Sequence, residues 1–247
     1  MSPTNKRDTG LQQTLMSKAY RTIRDRIFSG VYPIGAEISR RKLAAELGMS
    51  IVPINDALVL LGSEYLVENI PRVGTRVRIP TPLEIRGFWA VREGLETQAA
   101  RLFARNATGA ERQELRAQGT SLDQLHEATT SVSQPEPEAL YRWRTAHMDF
   151  HLRIAAGTHI PFLYQAVEKN QILVFNWFYE HSISAAPVLP ALWHEKLAAA
   201  LCQRSENVAD EAMRDHLRNR VEDLLQRLEE HLTLDRGRVT TLIEKHS

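Results

Sequence analysis

The chain has 247 residues, of which 43% are hydrophobic and 25% are charged, an ordinary composition for one large or two smaller globular domains. Its single cysteine, Cys202, excludes an intrachain disulfide, and no apolar run approaches the roughly 20 residues that span a bilayer. The N-terminal residues carry no secretory signal, so we expect a cytoplasmic protein.

The formal net charge of +1 is divided unevenly along the chain. Residues 1–80 contain twelve Lys/Arg and seven Asp/Glu, whereas the remaining residues have a net negative charge. A basic N-terminal segment is typical of a nucleic-acid-binding domain, although charge alone does not distinguish it from chance unevenness.

The N-terminal third begins with helical patterns. Residues 1–13 are polar and predict a disordered tail. Apolar residues at helical spacing predict a helix over 15–28. A second, short helix is predicted over 39–47 with a serine N-cap, and a third over 52–62.

The pattern then changes to short strands. Residues 65–70 and 75–79 are β-type runs joined by a glycine-containing turn, which predicts a hairpin. Prolines mark residues 80–83 as a linker. A first domain is therefore predicted over 14–79.

The rest of the chain has helical periodicity throughout. The predicted helices lie at 83–106, 109–130, 136–156, 160–182, 188–204 and 207–234. They predict an all-helical domain over 84–234 and a tail over 235–247. The predicted fold is mainly α, with a winged helix-turn-helix before a bundle of six or seven helices.

A helix, a short helix, a turn, a third helix and a hairpin are the parts of a winged helix-turn-helix. The second helix of the pair enters the major groove of double-stranded DNA, and the wing follows the backbone. At these residues the sequence resembles the GntR family of regulators. Gly48, Ser50, Pro53 and Ala57 keep their places in the family's long motif, and the resemblance covers about residues 15–80.

Two residues depart from the family pattern. The family's two arginines in this block, which contact phosphates and bases, align here with Ile51 and Asn55. Asparagine can bond bidentately to adenine, whereas isoleucine can at most touch a thymine methyl. Taken singly, the basic residues are better explained as solvated surface. With the resemblance, the predicted DNA-contacting residues are Arg40, Arg41, Lys42, Ser50, Ile51, Asn55, Arg72, Gly74 and Arg76.

The second domain contains a histidine pair with metal-ligand spacing. His147 and His151 are four residues apart on a predicted helix, so both project from one face and can reach one ion. The pair is weak evidence by itself, because a lone histidine on a partly apolar helix is more often a core residue.

Residues 83–232 resemble the FCD effector-binding domain of the FadR-type branch. The resemblance rests on Val91-Arg92…Leu95-Glu96, His147…Phe150-His151, Trp193-His194 and Ala212…His216. It implies a divalent metal, zinc or nickel, bound by His147, His151, His194 and His216. His147 stands where the family has an aspartate.

An all-imidazole site is neutral and leaves the ion its full charge, which favours an anionic additional ligand. Arg92, at a family position that faces the pocket, can clamp a carboxylate. Asn176 and Tyr179 are further candidates for the lining. The expected effector is therefore a small organic acid.

Together these features predict a homodimeric repressor that binds a near-palindromic operator under control of the effector. Two alternatives stay open. One is the same regulator with a metal-free pocket for an apolar or acyl ligand. The other is a metal-dependent hydrolase or isomerase, which the missing H-E-x-x-H motif disfavours.

Overall fold

A computed structural model describes residues 5–71, 74–132, 135–173 and 189–219. The chain divides into two compact units, residues 1–79 and 80–247.

The first unit is built on three helices and a small sheet. Its helices are α1 (Asn5–Phe28), α2 (Arg40–Leu47) and α3 (Ile51–Ser63). Their core includes Ile23, Ile27, Ile54 and Leu61, each at most 1% exposed, because the apolar residues recur at helical spacing and α1 packs on α3. α1 begins at Asn5, so it extends into the segment predicted as a disordered tail.

The turn between α2 and α3 has the local chemistry that the sequence predicts. The Ser39 hydroxyl accepts a hydrogen bond from the Lys42 backbone N–H and caps α2. Gly48 ends α2 in the left-handed conformation, at φ 61°, where a side chain is disfavoured. The axis of α3 turns 120° from that of α2, as in a helix-turn-helix.

The sheet has one strand more than the predicted hairpin. β1 (Glu37–Ile38), β2 (Val67–Ile70) and β3 (Gly74–Val77) lie in the order β1-β3-β2, and both pairings are antiparallel. β1 has two residues, too few for a period-2 pattern, so sequence reasoning placed no strand there. Both hairpin strands are shorter than the predicted runs, and β2 begins only after Tyr65, which adopts φ 59° in the turn after α3.

The second unit is helical in all its described elements. They are α4 (Pro82–Asn106), α5 (Gly109–Thr130), α6 (Pro137–Ala156), α7 (Pro161–Leu173), α8 (Trp193–Leu201) and α9 (Glu206–Arg218). Capping boxes Thr81/Glu84 and Thr108/Glu111 fix the starts of α4 and α5. α4 thus begins inside the predicted linker. Residues 174–188 and 220–247, which include the predicted ends of two helices, lie outside the described residues.

The core of this unit lies between α4, α5, α6, α8 and α9, around Phe103, Trp143, Phe150 and Leu197. Among the described residues no single helix is both long and apolar enough to cross a membrane. By length and composition alone, the bent pair α2–α3 meets that test.

Candidate functional site

Four buried or half-buried histidines from three helices meet inside the second unit. His147 and His151 come from successive turns of α6, His194 from the first turn of α8 and His216 from the last turn of α9. Ring nitrogens of His147, His194 and His216 all lie within 4.8 Å of one another. The Nε2 atoms of His147 and His151 are 3.1 Å apart. We call these four residues the histidine cluster.

Asp123 of α5 fixes the orientation of His194. Its Oδ1 lies 2.7 Å from His194 Nδ1, and its carboxylate also accepts the backbone N–H groups of His194 and Glu195, at 3.1 and 2.9 Å. The carboxylate therefore caps α8 and binds the imidazole at once. His194 Nε2 is left buried with no hydrogen-bond partner among the described residues.

Glu96 of α4 makes an ion-pair contact with His151. Its Oε2 contacts His151 Nδ1, while its Oε1 accepts hydrogen bonds from Arg92 Nε, at 2.7 Å, and Gln171 Nε2, at 2.6 Å. Carboxylates that hold imidazoles in this way commonly stand behind metal ligands.

Burial sets the charge state of these groups. Burial, reinforced by the neighbouring imidazoles, lowers the pKa of His147 well below its usual 6.5. Burial also lowers the pKa of His194, although Asp123 opposes it. For Glu96 burial acts to raise the pKa, but Arg92 and His151 outweigh it and lower the pKa from 4.5 to about 2. A lowered pKa favours the neutral imidazole at His147 and His194, which is the form that binds a metal.

The residues present fit a divalent transition metal. Two imidazole nitrogens bound to one Zn²⁺ ion stand about 3.0–3.4 Å apart, near the His147–His151 separation of 3.1 Å. An orphaned buried nitrogen on His194 is a ligand without a partner. His151 does not belong to the group of three with mutual distances within 4.8 Å, and it joins that group through His147.

The cavity beside the cluster is small. It has a volume of about 20 Å³ and its lining includes Trp89, Arg92, Trp143 and Trp193. Such a space holds about one water molecule. A larger cleft, of about 910 Å³, lies along α5 and residues 189–195, and its lining includes Asp123.

The three predicted effector-binding residues have different outcomes. Arg92 lines the small cavity, but it is 2% exposed and its Nε is already bound to Glu96. Sequence reasoning missed this pairing, although the spacing of four between Arg92 and Glu96 on one helix is a signal for it. Asn176 and Tyr179 lie outside the described residues.

The predicted DNA-contacting cations fall into two groups. Arg41 and Lys42 are exposed at the start of α2. Arg40 instead donates to Asn69 Oδ1, at 2.9 Å, and Thr75 Oγ1, at 2.8 Å. It therefore ties α2 to the sheet.

The wing residues are also partly engaged. Arg76 pairs at 2.7 Å with Glu68 across the β2–β3 hairpin. Gly74 is exposed at φ 127°, with open space where a side chain would stand. Arg72 lies outside the described residues.

The start of α3 presents the remaining candidates. Ser50 is the N-cap residue, yet its side chain makes no capping hydrogen bond. Ile51 is 43% exposed. Asn55 is half-buried, and its Oδ1 is buried with no hydrogen-bond partner among the described residues.

Comparison with known proteins agrees with this architecture. The family "FCD domain" matches residues 88–219, and "Bacterial regulatory proteins, gntR family" matches residues 15–77. An uncharacterized HTH-type transcriptional regulator in the TAR-I ttuE-ttuC' intergenic region of Agrobacterium vitis is 31% identical over 57% of this chain and 79% of its own length. The chain belongs to the GntR family.

This GntR-family chain is similar to other regulators over shorter stretches. A probable D-xylose utilization operon transcriptional repressor of Paenarthrobacter nicotinovorans is 35% identical over 43% of this chain and 46% of its own length. A gluconate operon transcriptional repressor of Bacillus licheniformis is 40% identical over 30% of each chain. The family and these relatives make the protein a DNA-binding transcriptional regulator and not an enzyme.

Solved structures of GntR-type proteins share the fold. E. coli McbR/YncC has a TM-score of 0.69 at 21% identity, covering 86% of this chain and 97% of its own. A putative GntR transcriptional regulator from Rhodococcus sp. RHA1 has a TM-score of 0.67 at 18% identity, covering 85% and 97%. At these identities the likeness concerns the fold alone.

Proposed function

We propose that this GntR regulator is a homodimeric repressor whose operator binding is controlled through a divalent metal and a small anionic ligand held at the histidine cluster. The observation that carries the proposal is the buried, partnerless Nε2 of His194, aimed from an imidazole that Asp123 holds in place. A buried nitrogen without a partner is costly unless a ligand satisfies it.

The donor set supports Zn²⁺ or Ni²⁺. Imidazole nitrogens suit both ions, and His147, His151, His194 and His216 would hold the metal. The bound ion supplies a positive centre that attracts an anion. Four neutral imidazoles leave the bound ion its full positive charge, which a carboxylate effector would balance.

The small cavity suggests how binding is coupled to a change of state. A space of about 20 Å³ does not admit an organic acid, so side chains around the cluster must move before one binds. A ligand that binds only the opened arrangement shifts the protein towards it. Arg92 lines the cavity and would bind the carboxylate through its outer nitrogens while it keeps Glu96 through Nε.

The DNA side of the proposal rests on the first unit. Arg41 and Lys42 would bind phosphates, and the free N-cap of α3 leaves backbone N–H groups for the same purpose. Two copies of the domain would take the two half-sites of a near-palindromic operator.

The test uses the full chain purified without a histidine tag. Bound metal is measured by mass spectrometry, and binding to the DNA upstream of its own gene is followed by fluorescence anisotropy with and without added Zn²⁺. Acetate, lactate and citrate serve as carboxylate probes. We expect one metal per chain, a change in operator affinity on its removal, and a mass in solution of two chains.

A matched variant gives the control. His194→Ala should lose the metal, whereas His159→Ala, which removes an exposed imidazole paired with Glu111, should keep it. Stoichiometric metal in His194→Ala would refute the site, and unchanged DNA binding after metal removal would refute the coupling.

A further inference from the structure

We infer that α3 reads its operator mainly through thymine methyl groups, with Ile51 and Val52 as the specificity-determining side chains. The inference rests on the proposed binding of operator DNA by the first unit. It identifies the bases that α3 selects, which that proposal does not specify.

The two sides of α3 differ in burial. The residues on one side, Pro53, Ile54, Ala57, Leu58 and Leu61, are buried in the unit. The opposite side, which we call the recognition face, consists of Ile51, Val52, Asn55, Asp56, Val59 and Leu60. Its aliphatic side chains are well exposed, at 43%, 52% and 68% for Ile51, Val52 and Val59.

This composition is unusual for a surface that meets DNA. α3 contains no lysine or arginine, so it offers no cation to a phosphate or to guanine. The preceding helix α2, which packs against α3, carries exposed cations at Arg41 and Lys42. Phosphate binding and base reading are therefore assigned to different helices.

The position of the aliphatic residues decides which of them reads bases. The N-terminal residues of a recognition helix meet base edges in the major groove, and Ile51 and Val52 are the first two residues of α3. Val59 lies two turns further along, beyond that region.

The major groove offers an aliphatic side chain one distinguishing partner. Adenine, guanine and cytosine present hydrogen-bonding groups there, and thymine alone adds a C5-methyl group. Contact between that methyl and a branched side chain removes apolar surface from water on both partners.

The polar residues of the recognition face contribute less in this arrangement. The Asn55 Oδ1 that would accept from adenine is buried. Asp56 carries a negative charge, which the phosphates repel, and it already has an interaction within the protein. Ile51 and Val52 thus remain as the exposed readers at the start of the helix.

The experiment first selects an operator for the full-length protein from a random duplex library. Each thymine of one half-site is then replaced by deoxyuridine, which pairs identically and lacks only the methyl group. We expect at least one position in that half-site where this replacement weakens binding, by roughly fourfold per methyl lost.

Three variants assign the contacts. Ile51→Ala and Val52→Ala should each erase the deoxyuridine effect at its own thymine, while Val59→Ala, a matched truncation on the same face, should leave every effect in place. All three side chains are exposed, so folding is preserved, and this is checked by thermal unfolding.

The outcomes distinguish a failure of this inference from a failure of the proposed function. If an operator is recovered but no deoxyuridine replacement weakens binding, or if the effects persist in both N-terminal variants, the inference is wrong and DNA binding stands. If Ile51→Ala and Val52→Ala instead change the mass in solution, the face is a contact between copies. Failure to select any operator overturns the proposed function together with the inference.

Discussion

The half-buried Asp123 carboxylate is bonded to the fully buried His194 imidazole, with Oδ1 and Nδ1 2.7 Å apart. The same carboxylate caps α8, so the position of the helix and the orientation of the ring are fixed by one residue. The proposed ligand atom, Nε2, can only point into the cluster. A change at Asp123 therefore tests the site without touching a ligand.

Asp123→Asn should weaken metal binding by roughly 10–100-fold, because the amide cannot orient and polarise the imidazole as a carboxylate does. Affinity is measured by competition with a chromogenic chelator. Asp215→Asn, which removes the same charge from an exposed position beside His216, is the control. Equal affinities in the two variants would show that Asp123 has only a structural role.

The buried pair Arg92–Glu96 gives a prediction for stability. Glu96→Gln leaves Arg92 and His151 buried without a carboxylate, and breaking such a pair by removing one partner costs roughly 3–5 kcal/mol. Urea unfolding of the metal-free protein at neutral pH measures the loss. Glu211→Gln, an exposed carboxylate on α9, should unfold as the unaltered protein does.

The same residue predicts a pH dependence. Because the pKa of Glu96 falls from 4.5 to about 2 in the folded chain, its stabilising contribution is complete above pH 4.5 and is lost as the pH falls towards 2. Stability should therefore decline less steeply over this range in Glu96→Gln than in the unaltered protein. Parallel curves for the two proteins would contradict the ionised, paired state of Glu96.

Sequence reasoning recovered the fold because its signals are local. Ser39 and Gly48 mark the ends of α2 by capping chemistry, and the predicted helix over 109–130 coincides with α5. The two-residue strand β1 was not predicted, because it is defined only by its pairing with β3. Helix ends that depend on neighbouring elements were also missed by several residues, as for α8, predicted over 188–204 and observed over Trp193–Leu201.

The candidate site was likewise predicted only in part. The histidines were found from spacing and resemblance, but Asp123 was not, because it lies 71 residues from His194 and no local pattern links the two. Arg40 was predicted as a DNA contact, yet a bond to Thr75, 35 residues away, engages it. Partners that only tertiary structure brings together are beyond a one-dimensional pattern.

The cations of α2 give a prediction for the salt dependence of operator binding. Arg41→Ala should weaken binding and reduce the slope of log affinity against log salt by about one, because one phosphate contact is lost. Arg116→Ala, which removes an exposed cation of α5, is the charge-matched control and should leave the slope unchanged. Identical slopes for Arg41→Ala and the unaltered protein would remove Arg41 from the interface.

Gly119 of α5 gives the last prediction, because it lets α8 approach closely at the histidine cluster. A Cβ at this position would stand 2.9 Å from the backbone oxygen of His194 and 3.3 Å from Ala198 Cβ. Backbone cannot yield as a flexible side chain does, so Gly119→Ala must push α8 away and move His194. Overpacking of this kind costs roughly 1–3 kcal/mol.

We therefore expect Gly119→Ala to lower both the unfolding free energy and the metal affinity. Gly94→Ala is the matched control. Gly94 is an exposed residue in the middle of α4, and an added Cβ would stand in open space, so this substitution should stabilise the helix by about 0.5–1 kcal/mol. Unfolding in urea and chelator competition measure the two quantities in each variant. The contact between Asp123 and His194 depends on the position of α8. A Gly119→Ala protein that is destabilised but binds metal with normal affinity would therefore show that the packing of α8 does not determine the geometry of the cluster.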